Sequence, residues 1–158
     1  MEQADSQTGE ATVIRFYEQA DDALLKFAVI LTKSDGKWVF CKHKARNTYE
    51  IPGGHREQGE AIDDTAKREL CEETGAVQFR LTPVCIYSVT AKDNFDGAET
   101  FGKLYYAEVQ SFEAELHNEI EKIIFTKEPI TNWTYPQIQP ALFQEALRRG
   151  FGLIERKS

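Results

Sequence analysis

The stretch that most limits how this chain can fold runs from Gly53 to Ala76 and reads GGHREQGEAIDDTAKRELCEETGA. Paired glycines mark a place where backbone must turn sharply or approach another strand closely. The residues from about Ala61 to Thr74 then form a helical segment, stopped by Gly75 in the position that favours a left-handed cap. Strand signals surround this helix. Leu24 to Thr32 and Lys37 to His43 flank the turn residues Ser34-Asp35-Gly36 and predict a hairpin. Tyr49 to Pro52 is expected as a short strand entering the glycine pair, with further strands over Val77 to Val89, Phe101 to Val109 and Ile123 to Phe125. A closing helix is expected over Tyr135 to Gly150, with Ile138, Leu142 and Leu147 on one apolar stripe. Many strands with one helix in the middle and one at the end predict an α/β fold, an α/β/α sandwich around a central mixed β-sheet.

The middle helix has an unusual end. At about 100° per residue, Glu69, Glu72 and Glu73 crowd into an arc of roughly 100°. Each like-charge pair costs about 0.2 to 0.5 kcal/mol, and the negative end of the helix dipole adds a similar penalty. A solvated acidic helix end is the plain alternative. Against it, Ile62 and Ala66 share that arc while Asp64, Lys67 and Cys71 lie opposite, so the glutamates continue an apolar face. Such a cluster makes sense around a hard divalent cation, because Mg²⁺ takes oxygen ligands. The cation would also let an acidic protein hold a phosphate compound.

Composition narrows the classes further. A chain of 158 residues with 41% hydrophobic and 28% charged residues is globular and large enough for one core. The formal charge of −7 argues against a general nucleic-acid or membrane-surface binder, since backbone phosphate affinity needs clustered Lys and Arg. No run approaches the ~20 apolar residues of a membrane helix. Residues 1–11 are acidic and polar, with no leader pattern, and are expected as a tail before a single domain over 12–158. Cys41, Cys71 and Cys85 match no metal knuckle, so free thiols in the cytoplasm are expected.

The stretch resembles the box of the Nudix hydrolases: Gly, five residues, Glu, seven residues, then Arg-Glu-U-x-Glu-Glu-x-Gly-U, where U is a bulky aliphatic. Gly54, Glu60, Arg68, Glu69, Glu72, Glu73 and Gly75 stand at its fixed positions, with Leu70 a good U and Ala76 a small one. The resemblance implies a hydrolase of nucleoside diphosphates linked to another group, acting with Mg²⁺ or Mn²⁺. It implies Glu69, Glu72, Glu73 and the carbonyl of Gly53 as metal ligands, with Glu60 and Arg68 pairing to fix the loop against the helix. Family members often recruit a later glutamate. Glu119 matches that place best, and Glu121 and Glu115 stay open. Glu69, Glu72 or Glu119 would take the proton from the attacking water.

Substrate signals are weaker. Ala91 and Asp93 stand where ADP-ribose and dinucleoside polyphosphate hydrolases of the family tend to carry Pro and Tyr, which leaves a MutT-like triphosphate pyrophosphohydrolase of the 8-oxo-dGTP type as the leading expectation. Nucleotide sugars, RNA 5′ ends or a non-cleaving nucleotide sensor are the alternatives. Asn132 and Trp133 could read and stack on a base, or the Trp could simply anchor the closing helix. MutT has Lys where His55 stands, so Lys44 and Arg46 are expected to help hold phosphate alongside it. Lys42 is a further candidate, and His43 reads as a strand-end residue. Asp93, Asp96 and Glu99 of the KDNFDGAET loop could reach a metal or lie in water. The expected partner is a small nucleotide, with a homodimer left open.

Overall fold

In the computed structural model the described residues are 12–92, 97–116 and 119–153. The expected tail 1–11, Asp93 and Asp96 fall outside them. The elements are β1 (Val13–Tyr17), a 3₁₀ turn (Asp22–Leu24), β2 (Leu25–Ser34), β3 (Lys37–His43), β4 (Gly53–His55), α1 (Ile62–Thr74), β5 (Ala76–Thr90), β6 (Thr100–Phe112), β7 (Ile120–Thr126) and α2 (Gln139–Arg148).

β2 organises the rest. Its near-continuous apolar run is what a strand covered on both faces requires. Ala28 and Ile30 join Ile62, Ala66 and Leu70 of α1 in one core cluster. Val29 and Leu31 join Leu142, Phe143 and Ala146 of α2 in the other. Each fully buried Leu or Phe contributes about 1.5 to 3 kcal/mol, so both helices are held to the sheet mainly by these stripes. The order across the sheet is β1-β5-β6-β2-β3-β7, with β4 also on β2. β2 and β6 run parallel, from Leu25↔Phe101 to Lys33↔Glu108, and the other pairings are antiparallel. The expected mixed-sheet sandwich is thus the observed fold.

One edge of β2 is divided between two partners. Phe27 to Val29 pair with β4, and Thr32 to Ser34 pair with β3 across a turn in which Asp35 and Gly36 take φ of 51° and 77°, the left-handed pair typical of a two-residue hairpin. Between them the Ile30 N–H donates to the Pro52 carbonyl at 2.8 Å. The loop out of β3 is held by mutual Cys41–Glu50 backbone bonds at 3.0 Å.

Three expectations change in detail. Tyr49 to Pro52 forms only isolated bridges, Tyr49 to Trp133 and Glu50 to Cys41, and the strand on β2 is Gly53–His55. The close approach explains this, because a Cβ on Gly53 would lie 2.5 Å from the Ala28 carbonyl oxygen. The closing helix begins at Gln139 rather than Tyr135 and carries Pro140 in its first turn, where a missing N–H costs nothing. β1, which pairs with β5 from Val13↔Thr90 to Tyr17↔Ile86, was not anticipated. Cys41 and Cys85 are buried free thiols and Cys71 an exposed one. Among the described residues no helix is long and apolar enough to cross a membrane.

Candidate active site

α1 sets the site because its buried face runs out into carboxylates. Beyond Ile62, Ala66 and Leu70 come Glu69 and Glu73, whose side chains retain only 12% and 13% exposure, whereas Glu72 retains 46%. The first two point along the body of the protein, and Glu72 stands at the rim. α1 ends at Gly75, which takes φ of 78° as expected for its cap. No basic residue lies in the last turn.

Arg68 gathers the acidic groups. It donates to Glu60 through Nε at 2.7 Å and Nη2 at 3.0 Å, a two-bond fork. Nη2 also donates to the His55 carbonyl at 3.0 Å, and Nη1 to Glu69 at 3.1 Å and Glu72 at 3.4 Å. Glu60 accepts further bonds from the Glu57 N–H and the Thr65 hydroxyl. The Arg68 bonds, with the Glu57 N–H next, hold its carboxyl down to about 2. One guanidinium therefore links the loop before α1, the end of β4 and the last turns of the helix.

Glu73 has the opposite surroundings. Burial pushes its carboxyl up to about 8, only partly opposed by the Gly53 N–H that it accepts at 2.9 Å, while Glu69 and Glu50 push it higher. Burial also raises Glu69, against the pull of Arg68. Glu69 lies directly on the paired glycines: a Cβ on Gly54 would sit 2.3 Å from its Oε2.

Two cavities meet at those glycines. One, of about 340 Å³, is lined by Gly53, Glu69, Glu72, Glu73 and Glu119, with Arg68 and Glu57 beside them. The other, of about 430 Å³, is largely apolar and is lined by Phe27, Ile51, Tyr87, Tyr135, Ile138 and Leu142, with Arg46, Glu50 and Gln139 as polar members. His43, Gly53, Gly54, His55 and Glu73 line both.

Residues 23–143 match the family model of the NUDIX domain. The chain belongs to the Nudix hydrolase family. A curated relative from Bacillus subtilis, named "Putative 8-oxo-dGTP diphosphatase YtkD", is 31% identical over 90 residues, 57% of this chain. The match spans about half of that relative, 54% of its length. Among solved structures, a variant of the Bacillus subtilis pyrophosphohydrolase BsRppH shares the fold with a TM-score of 0.75 at 21% identity, covering 97% of this chain and all of that one. A NUDIX hydrolase from Nitrosomonas europaea gives 0.62 at 21% identity over 78% of this chain and 89% of that one.

Nudix hydrolases generally act with a divalent metal ion, and the oxygen donors here suit one. Among the described residues no three acidic, His or Cys side chains already converge on one point. Arg68, the Gly53 N–H and His43 hold the carboxylates instead. The donor chemistry fits a hard cation: two carboxylates raised by burial, a third at the rim, and an exposed Glu119 across the cavity. Glu121 pairs with Lys42 at 2.5 Å, Glu99 accepts from Tyr17 and Ser88, and Glu115 lies outside both cavities.

The residues expected to bind substrate divide. Arg46 and His55 line the apolar cavity of this Nudix domain. Lys44 lines neither cavity and uses its backbone N–H to bond the Glu119 carbonyl at 2.8 Å. Asn132 and Trp133 also line neither. Trp133 packs edge-on against Phe40 and Phe143 in the core, and Asn132 uses its carbonyl to accept the Tyr49 N–H. Trp133 is partly buried against the core, the anchoring arrangement that the sequence offered beside base stacking. Tyr135 stands at the cavity instead, 40% exposed, with the Arg46 guanidinium 5.9 Å from its ring.

Sequence reasoning passed over Glu50 and took His43 only as the strand-end residue that it is. Glu50 is buried, its Oε2 accepts from Arg46 at 2.9 Å, and burial raises its carboxyl against His43 and Arg46. His43 Nε2 lies 3.5 Å from Glu50 and 3.4 Å from Glu73. Polar residues flanking the glycine pair in YEIPGGH were the available signal.

Proposed function

We propose that this Nudix domain hydrolyses a phosphoanhydride bond in a nucleoside diphosphate linked to another group, with a nucleoside triphosphate, normal or oxidised, cut to monophosphate and pyrophosphate. One observation carries the reading: the five expected ligands line a single cavity that shares its paired glycines with a largely apolar cavity of about 430 Å³. Gly53, Glu69, Glu72, Glu73 and Glu119 would hold Mg²⁺ or Mn²⁺. The bound ion would supply charge neutralisation at the phosphates and a lowered pKa for the attacking water.

The chain's own residues do the rest. Glu60 and Arg68 fix the loop and helix, so Glu69 and Glu72 keep one spacing. Gly54 leaves the Glu69 carboxylate uncovered toward the phosphate chain. Arg46 and His55 face the cavity from the other side and attract the anion, while Tyr135, Phe27 and Ile138 offer apolar surface to the base. Glu69, Glu72 or Glu119 accepts the proton as the water oxygen bonds to phosphorus and the bond to pyrophosphate breaks. The resemblance to the diphosphatase from Bacillus subtilis supports the triphosphate over nucleotide sugars.

The test measures phosphate and pyrophosphate release from triphosphates, nucleotide sugars and dinucleotides, with and without Mg²⁺, beside Glu72→Gln. Mg²⁺-dependent pyrophosphate from one triphosphate, lost in the variant, is the expected result. Silence across the whole panel would overturn it.

A further inference from the structure

Glu73 does not face the acidic cavity with a free carboxylate. Its Oε1 accepts the Gly53 N–H at 2.9 Å, and its Oε2 lies 3.4 Å from His43 Nε2. That same nitrogen lies 3.5 Å from Oε2 of Glu50. The imidazole stands between the two carboxylates at nearly equal distances, and one ring N–H could turn fully to only one of them. The Arg46 guanidinium, 2.9 Å from Glu50, fixes where the second acceptor stands. The result is a chain of contacts, Arg46 to Glu50 to His43 to Glu73, from the wall of the apolar cavity to the acidic one.

The sequence places these groups on separate pieces of chain. His43 ends β3, Glu50 sits in the following loop, and Glu73 is in the last turn of α1. The Cys41–Glu50 backbone bonds bring loop and strand together, so the approach of Glu50 to His43 is built into the fold. Glu50 is itself buried, at 5% exposure. A buried carboxylate needs partners to offset its desolvation, and Arg46 and His43 supply them.

We infer that Glu50 and His43 are positioning residues for the cation site: Glu50 offers His43 a second carboxylate beside Glu73 and so keeps the imidazole from settling on the Glu73 carboxylate that a divalent ion would use. The inference rests on the reading of Glu73 as a metal ligand. Groups that orient metal ligands commonly change metal affinity by about 10 to 100-fold when altered. With Glu50 neutralised, His43 turns to the carboxylate that remains and competes with the ion for it. Removing His43 as well frees Glu73 again. The two substitutions therefore oppose each other, whereas residues that merely hold up the fold would give losses that add.

Mn²⁺ binding to the full chain without nucleotide, followed by electron paramagnetic resonance, tests this directly. Folding of every variant is checked by circular dichroism. Glu50→Gln is expected to weaken Mn²⁺ binding about tenfold, and Glu50→Gln with His43→Gln to recover most of that loss. Wild-type affinity in Glu50→Gln, or a double variant as weak as the single one, overturns the inference. Glu69→Gln separates the two levels. If it binds Mn²⁺ as the wild type does, the reading of the acidic wall fails and takes the inference with it. If only Glu69→Gln is weakened, the wall stands and the positioning role falls.

Discussion

The two helices cover opposite faces of one sheet and end in opposite ways. α2 closes with Arg148 in its last turn, and Glu145 accepts bonds from both Arg148 and Arg149, the latter at 2.8 Å. Arg149 reaches on to Glu18 at 2.9 Å. Cations there suit the negative end of the helix dipole. α1 ends on Glu69, Glu72 and Glu73 with no basic residue in its last turn. Both helices bury apolar stripes of similar kind, so packing does not distinguish them. The difference lies in how each end meets its helix dipole: α2 finishes on cations that suit it, and α1 keeps an acidic end that costs stability.

Substitutions on the two helices should separate these roles. Glu69→Gln should lower kcat/KM on the order of 1,000-fold, about 4 kcal/mol of transition-state stabilisation, without lowering the thermal midpoint. A fall in midpoint as large as the activity loss would break the contrast. Phe143→Ala, buried on α2 and outside both cavities, should cost about 3 kcal/mol in a denaturant titration while the folded fraction keeps its activity. Gly54→Ala should cut turnover about tenfold, on the order of the effect of disturbing a group that orients a ligand, because its new methyl meets the Glu69 carboxylate. Restored turnover on shortening Glu69 to Asp in that background would sharpen the reading.

The smallest effect belongs to the end of α2. Glu145→Gln should cost less than about 1 kcal/mol, as partly exposed ion pairs do. Hydrogen bonds from Arg148 hold the Glu145 carboxyl below its usual value. Its contribution is therefore present above the unfolded carboxylate pKa and is lost as pH falls through the depressed folded one. Stability curves of wild type and Glu145→Gln should converge in acid; curves that stay parallel would remove Glu145 from the account.

How much of this was legible in the sequence follows from the range of each interaction. α1, its Gly75 stop and the inward arc of glutamates come from helical period and one residue's backbone freedom, both local. The sandwich itself came from the order of strands and helices. Tyr49 to Pro52 read as a strand because its residues suit one, yet the edge of β2 goes to Gly53–His55, where the missing side chain of Gly53 allows the approach. Trp133 and Tyr135 are two residues apart, and only the docking of α2 decides that the first enters the core and the second faces the cavity. Glu50 escaped notice and His43 was read only as a strand end because neither belongs to the box, and their meeting depends on the path of the loop after β3. Glu119, which lines the acidic cavity, was singled out through family resemblance, not through any periodicity of its own.

The divided edge of β2 has a consequence for how such a protein can change over evolutionary time. The acidic cavity draws its carboxylates from α1, from Glu57 in the loop before it and from Glu119 just ahead of β7, whereas the apolar cavity draws Phe27 from β2, Tyr87 from β5, and Tyr135 and Ile138 from the segment before α2. The two sets meet at the paired glycines and at His43, His55 and Glu73. Phe27, Tyr87, Tyr135 and Ile138 line only the apolar cavity, so that wall can drift in sequence without altering the residues that line the acidic one.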